Sequence, residues 1–259
     1  MTILRNGGKI PYLAIRTLWA TFLNLLFPTP CRTCGGPLNG KARSIICGSC
    51  WGKIRIIKGP LCGCCGRPLS SEKALSYSPG HLCGLCRSSE FYFIQARAAA
   101  LYERGGVLRE ALLLFKHGGK RSLGKALVKL MIQEGAVKFD LANFDLLVPI
   151  PLHPKRERER EFNQSLVLAR GLGQHYKIPV LKGNLQRVRP TPPLSGGRKE
   201  RVAQVRGAFS VRRSDRIKGK RVLLIDDVFT TGATVNECSR MLLRAGAVEV
   251  AVYTLARVP

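Results

Sequence analysis

The chain has 259 residues, 43 of them Lys or Arg and 16 Asp or Glu, for a formal charge of +27. That length holds one α/β domain of ordinary size plus a smaller module, and the charge exceeds what solubility needs, so it favours an anionic partner such as nucleic acid or phosphorylated metabolites. Nine of the ten cysteines lie between Cys31 and Cys86, mostly in Cys-x-x-Cys pairs, which argues for cytosolic metal sites and against a secreted disulfide scaffold.

Over residues 1–27 the run IPYLAIRTLWATFLNLLFP places Leu18, Phe22, Leu25 and Leu26 at helical spacing and predicts an amphipathic helix. Arg16 interrupts the run and no small-residue cleavage pattern precedes Cys31, unlike a signal peptide. The run is also too short to cross a bilayer, so no transmembrane span is expected. The first carboxylate of the chain is Glu72.

Residues 28–90 contain a repeat: CRTCGGPL begins at Cys31 and CGCCGRPL at Cys62. A second pair follows each, Cys47 with Cys50 and Cys83 with Cys86, and the spacing is that of zinc ribbons. The expectation is a double zinc ribbon with two structural Zn²⁺; the repeat favours sequential pairing as Cys31, Cys34, Cys47, Cys50 and Cys62, Cys65, Cys83, Cys86, with a RING-like crossed pairing or one degenerate site as the alternatives. Each four-thiolate site brings about two negative charges. Cys64 reads as a spare thiol, His81 as a weaker ligand than any cysteine, and Cys238 as core.

From residue 91 to 259 strands alternate with helices. FIQARAAALY reads as a strand, VLREALLLFKHG and LGKALVKLMIQEGA as helices, NFDLLVPIP as a buried strand and FNQSLVLARGLGQHY as a helix. RVLLID, TVNECSRMLLRAG and VEVAVYTLAR follow as strand, helix and strand. Strands apolar on both faces predict a parallel sheet flanked by helices, an α/β fold. The Pro-, Gly- and Arg-rich segment between Arg187 and Arg221 reads as a long functional loop.

VLLIDDVFTTGATVNE, from Val222 to Glu237, carries the chemistry. An apolar strand delivers Asp226 and Asp227 to its carboxyl end, where parallel sheets bind ligands. Gly232 frees the turn, and the amides from Thr230 through Thr231, Gly232 and Ala233 to Thr234 lead into a helix start that attracts phosphate. Carboxylates repel phosphate, so they must face hydroxyls, a metal or a cationic leaving group; a ribose 5-phosphate satisfies both halves. The strand also looks like a Walker B strand, but no G-x-x-x-x-G-K-[ST] accompanies it, and a receiver-type pocket needs more chain than the 32 residues after Asp227.

LLIDDVFTTGAT resembles the motif of type I phosphoribosyltransferases that binds 5-phosphoribosyl 1-pyrophosphate (PRPP). With the Cys-rich front and VPIPLHPKREREREFNQS, nearly everything after Pro28 resembles the ComF/GntX family of competence-associated proteins. The resemblance implies a type I phosphoribosyltransferase-like sheet, ribose hydroxyls on Asp226 and Asp227, the 5-phosphate on residues 230–234, and Mg²⁺ with the pyrophosphate. It places a pyrophosphate loop at Leu152, His153, Pro154 and Lys155, with Lys155, Arg156, Arg158 and Arg160 as anion ligands or as a solvated charged helix start. It also implies a cytoplasmic step in DNA uptake beside other uptake proteins, with single-stranded DNA on the acid-free front and the Arg-rich segment 198–221, where Trp51 and Phe91 offer stacking faces. A base-salvage phosphoribosyltransferase and a PRPP sensor without turnover are the alternatives. Two positions depart from the family: Glu161 stands where RGFNQ has Gly, and Leu194 where Thr-x-x-Gln has Gln.

Overall fold

The computed structural model describes residues 30–38, 45–69, 80–138, 140–191 and 196–259. The helix expected over 1–27 and the departure at Leu194 lie outside them. The chain divides into two compact units, Met1–Lys53 and Ile54–Pro259. Among its described residues the first holds Cys31 to Cys50 and one short helix, α1 (Gly48–Trp51). The second set of cysteines, with α2 (Gly84–Arg87), belongs to the larger unit, although the sequence groups both sets over 28–90.

The larger unit is built on four strands, β1 (Ala96–Leu101), β2 (Leu146–Pro149), β5 (Arg221–Phe229) and β6 (Glu249–Arg257), in the order β1-β6-β5-β2. All neighbours are parallel, as expected of strands apolar on both faces. Val222 to Ile225 and Val250 to Tyr253 are almost fully buried in the two central strands. Helices α3 (Val107–His117), α4 (Leu123–Lys138), α5 (Pro154–Arg160), α6 (Gln164–Tyr176), α7 (Arg198–Val205) and α8 (Ala233–Arg244) surround the sheet. Successive strand residues face opposite sides. Val222, Leu224, Val250 and Val252 share a core with Leu242 of α8 and with Cys62, Cys65, Cys83 and Cys86. Tyr253, of the other parity, bonds through its hydroxyl to the Met131 carbonyl of α4 at 2.7 Å. The second metal centre is therefore part of the core under α8.

The segment between Arg187 and Arg221 is not a bare loop. β3 (Leu185–Arg187) and β4 (Phe209–Val211) pair antiparallel, with α7 between them. Only Val205 of α7 is buried, so the helix lacks the apolar stripe by which sequence reveals helices. Glu200 three residues after Gly197, whose N–H it accepts, is the N-terminal signal that was present. Cys238 is fully buried, as expected of core.

Candidate functional site

β5 continues beyond its buried centre through Asp226 and Asp227 to Phe229. Asp226 accepts hydrogen bonds from Ser165 Oγ and from the Asp227 N–H, both at 2.9 Å. Burial, and then the neighbouring Asp227 charge, push its carboxyl up to about 7. Asp227 Oδ2 meets Lys116 Nζ at 2.8 Å. Lys116 reaches it because Phe115 is fully buried against Phe162, with ring centroids 5.2 Å apart, which presses the end of α3 onto the segment joining α5 and α6.

After Phe229 the chain turns through Thr230 and Thr231 to Gly232, whose φ of +80° is left-handed and which caps α8. A Cβ at Gly232 would lie 2.8 Å from the Phe229 ring, so turn and strand end are in direct contact. The first amides of α8, beginning with Ala233 and Thr234, have no intrahelical carbonyl to reach and carry the positive end of the helix dipole. Thr230 is exposed, and Thr231 Oγ1 is buried without a hydrogen-bond partner among the described residues. A buried donor left unpaired costs about 1–3 kcal/mol, and here it sits at a helix start suited to an anion.

His153 caps α5, its Nδ1 accepting the Lys155 N–H at 3.3 Å; Pro154 takes the first helical position and Leu152 precedes the turn. Asn163 ties this turn to α6, donating to the Ile150 carbonyl at 3.0 Å and accepting from Leu166 N at 3.2 Å. Glu161 has a φ of 64°, so the departure from Gly keeps the left-handed turn with a side chain on it. Arg160 feels both site carboxylates electrostatically, and burial, then Arg160, Lys116 and Arg156, lowers the His117 pKa. His153, Lys155, Arg156 and Arg187 line a cavity of about 440 Å³ with Thr191; Arg158 is exposed and not part of it. The Arg187 guanidinium lies 5.3 Å over the Phe209 ring, and its Nε has no hydrogen-bond partner among the described residues. Lys116, Ser165 and Arg187 were not singled out from sequence: Lys116 reads as a cation complementing a helix C-terminus, Ser165 as an ordinary first-turn residue, Arg187 as one basic residue among many.

A second, larger cavity of about 880 Å³ lies between the segment after Cys86, α7 and α8. Arg198, Lys199, Arg206, Arg240 and Arg244 line it against Glu90 and Glu237. Arg240 is paired with Glu237 at 2.6 Å, and Arg198 stacks 4.5 Å over Phe91 and donates to Ser89 Oγ.

Both cysteine sets close as the sequence pairs them, with the sulfurs of each set within 4.8 Å of one another. Cys31–Cys50, Cys34–Cys47 and Cys65–Cys83 sulfurs stand 3.9, 3.8 and 3.7 Å apart. A tetrahedral zinc with Zn–S of about 2.3 Å separates its ligands by about 3.8 Å, so both sets fit structural zinc. Burial opposes thiolate formation at Cys31, but main-chain amides, led by that of Cys47, outweigh it and bring its pKa to about 6; Cys62 is brought to about 7 in the same way, led by the amide of Cys83. Cys64 stands outside the cluster. Among the described residues no helix is long and apolar enough to cross a membrane.

The double zinc ribbon domain family matches residues 22–87, and the phosphoribosyl transferase domain family matches residues 164–259. Competence protein F of Haemophilus influenzae is 29% identical over 82% of this chain and 96% of its own length. Competence protein ComFC of Streptococcus pneumoniae is 30% identical over 61% of this chain and 67% of its own. Among solved structures, the glutamine PRPP amidotransferase of B. subtilis is 28% identical over 53% of this chain and 26% of its own, with a TM-score of 0.33. With both domain families matched, and that identity to competence proteins over most of their length, the chain belongs to the ComF/GntX family of phosphoribosyltransferase-fold proteins with a double zinc ribbon.

Proposed function

We propose that the chain binds PRPP with Mg²⁺ at the end of β5 and single-stranded DNA in the larger basic cleft, and that it serves DNA uptake in the cytoplasm beside other uptake proteins. The observation that carries the sugar half is the convergence at one strand end of an acidic pair, a left-handed glycine at a helix start, and the unpartnered Thr231 hydroxyl. Asp226 and Asp227 accept the ribose hydroxyls; the amides from Thr230 to Thr234 hold the 5-phosphate. Lys116, Arg156 and Arg160 face the pyrophosphate and neutralise charge as the bond from ribosyl C1 breaks. Asp226 and Asp227 are hard oxygen donors of the kind that would hold Mg²⁺, and the ion, bound with the pyrophosphate, would supply further countercharge.

Calorimetry tests the sugar half. Asp226→Asn with Asp227→Asn keeps the side-chain shape and removes charge-assisted bonds worth about 1.5–3 kcal/mol each, so PRPP binding falls at least about tenfold. No heat with the wild type and Mg²⁺, or unchanged binding by the double variant, would falsify it. The pH dependence has a definite sign. Asp226, raised to about 7, is protonated below that pH and cannot accept a hydroxyl proton through a full charge; affinity therefore rises about tenfold from pH 6 to pH 8.

The DNA half rests on the cleft, where five cations outnumber two carboxylates and Glu237 is already paired with Arg240. Arg206→Glu with Arg244→Glu reduces the slope of log K against log salt by about 1.4, the share of two phosphate contacts on a single strand. Anisotropy with a labelled oligonucleotide reads it. An unchanged slope removes the cleft from the reading, and no binding at low salt removes DNA. Product formation from PRPP with candidate acceptors separates an enzyme from a sensor.

A further inference from the structure

We infer that Arg257 is a positioning residue that couples the second cysteine cluster to the phosphate loop, so that zinc on Cys62, Cys65, Cys83 and Cys86 and a phosphate at Gly232 strengthen one another. The phosphate end of this coupling rests on the reading of the loop given above.

Arg257 closes β6 and is only 2% exposed. A buried guanidinium is costly unless charge and hydrogen bonds compensate it. Among the described residues no carboxylate pairs with it. Its Nη1 donates to the Cys65 carbonyl at 2.5 Å and its Nη2 lies 3.7 Å from Cys65 Sγ. A zinc-ligating sulfur is a thiolate, so metal on the second cluster supplies the countercharge that the cation otherwise lacks. Partners in this outer layer orient ligands and raise metal affinity.

The same guanidinium lies 4.9 Å over the ring of Phe229. Phe229 is its register partner on β5, and the Val258 N–H donates to the Phe229 carbonyl at 3.0 Å. The ring is held edge-on by Phe93, with centroids 6.2 Å apart, and leaves no room for a Cβ at Gly232. Cys65, Arg257, Phe229 and Gly232 are thus joined in series by three contacts. Two of them share one buried cluster with Ala233: Cys65, Phe229 and the first residue of α8 belong to the same core. Energetic coupling between two ligands is reciprocal, so each must tighten the other by the same factor. Among the described residues nothing comparable touches the first cluster, whose sulfurs are met by Ser49 and a main-chain amide.

The test uses the zinc-loaded full chain, ribose 5-phosphate as the phosphate probe, and a colorimetric chelator that reports zinc release. In the wild type, saturating ribose 5-phosphate slows the loss of one zinc of two, about fivefold. Arg257→Met weakens the hold on that zinc about tenfold and weakens ribose 5-phosphate with it, while Arg257→Lys keeps part of both. Phe229→Leu abolishes the protection, read as the ratio of zinc release rates with and without ribose 5-phosphate. If Arg257→Met does not fold, the wild type and Phe229→Leu still decide. Ribose 5-phosphate that binds the wild type yet leaves both zinc release rates unchanged overturns the coupling alone. A wild type that does not bind ribose 5-phosphate overturns the phosphate-loop reading, and the coupling falls with it.

Discussion

The two cysteine knuckles share a local blueprint and differ in everything around it. In both, the first cysteine N–H bonds to the carbonyl five residues on, at 2.7 Å from Cys31 and 2.8 Å from Cys62. Cys47 N donates to Cys31 Sγ and Cys83 N to Cys62 Sγ, each at 3.3 Å. Gly35 and Gly66 take the same left-handed turn, with φ of 72° and 68°. Yet Cys34 is exposed, whereas all four ligands of the second set are buried in the core of the larger unit. Ala96 N bonds to the Cys64 carbonyl at 2.6 Å and Arg97 Nη1 to that of Gly63 at 3.1 Å. The repeat encodes metal geometry; what packs on it decides whether the metal serves one knuckle or a whole fold.

Breaking one ligand in each knuckle exposes that difference most. Cys83→Ser removes a ligand from a site continuous with the sheet core, and the larger unit loses more than about 5 kcal/mol, on the order of 10–20 °C in its melting transition. Cys47→Ser leaves that transition in place and costs one zinc. Differential scanning calorimetry with elemental analysis of both variants reads the contrast, and equal melting losses would remove it.

Glycine offers a gentler version. At Gly35 a Cβ would meet nothing within 4 Å, so Gly35→Ala costs only the left-handed backbone, about 1 kcal/mol. At Gly66 the Cβ would lie 2.4 Å from the Ala96 carbonyl oxygen, a clash with main chain that cannot rotate away. Gly66→Ala therefore costs about 1–3 kcal/mol more, as overpacked sites do. Urea midpoints for the larger unit should shift for Gly66→Ala alone.

These contrasts also mark what could be read from the chain. The four strands of the sheet were legible as short continuous apolar runs, α3 and α8 by apolar residues at the helical period, α4 and α6 as longer apolar segments between breaks, and the acidic pair because two carboxylates ending a buried strand demand a reason. β3, β4 and α7 were not: two have three residues, and α7 buries one side chain. Lys116 and Ser165 reach the acids only through tertiary packing, Lys116 by way of Phe115 on Phe162. The docking of the second knuckle is not marked in the sequence; Gly63, where the first knuckle has Arg32, answers to a contact inside the knuckle. A Cβ at Gly63 would lie 2.8 Å from the Gly80 carbonyl oxygen.

The smallest expected effect turns the glycine comparison round. Gly35 and Gly66 meet the left-handed requirement with the residue that meets it freely, but Glu161 meets the same requirement at φ 64° with a Cβ in place. Its N–H bonds to the Arg158 carbonyl at 3.3 Å and caps α5, and its side chain is exposed, so little packing is lost on removing it. Glu161→Gly relieves about 1 kcal/mol of backbone strain, offset in part by the greater freedom glycine gives the unfolded chain. A net gain of about 0.5 kcal/mol in urea unfolding is the expected result, with α5 and the His153 turn unmoved. A loss instead would mean that the glutamate side chain holds the turn through contacts that outweigh its strain. The departure from the family's glycine would then be a substitution the site depends on.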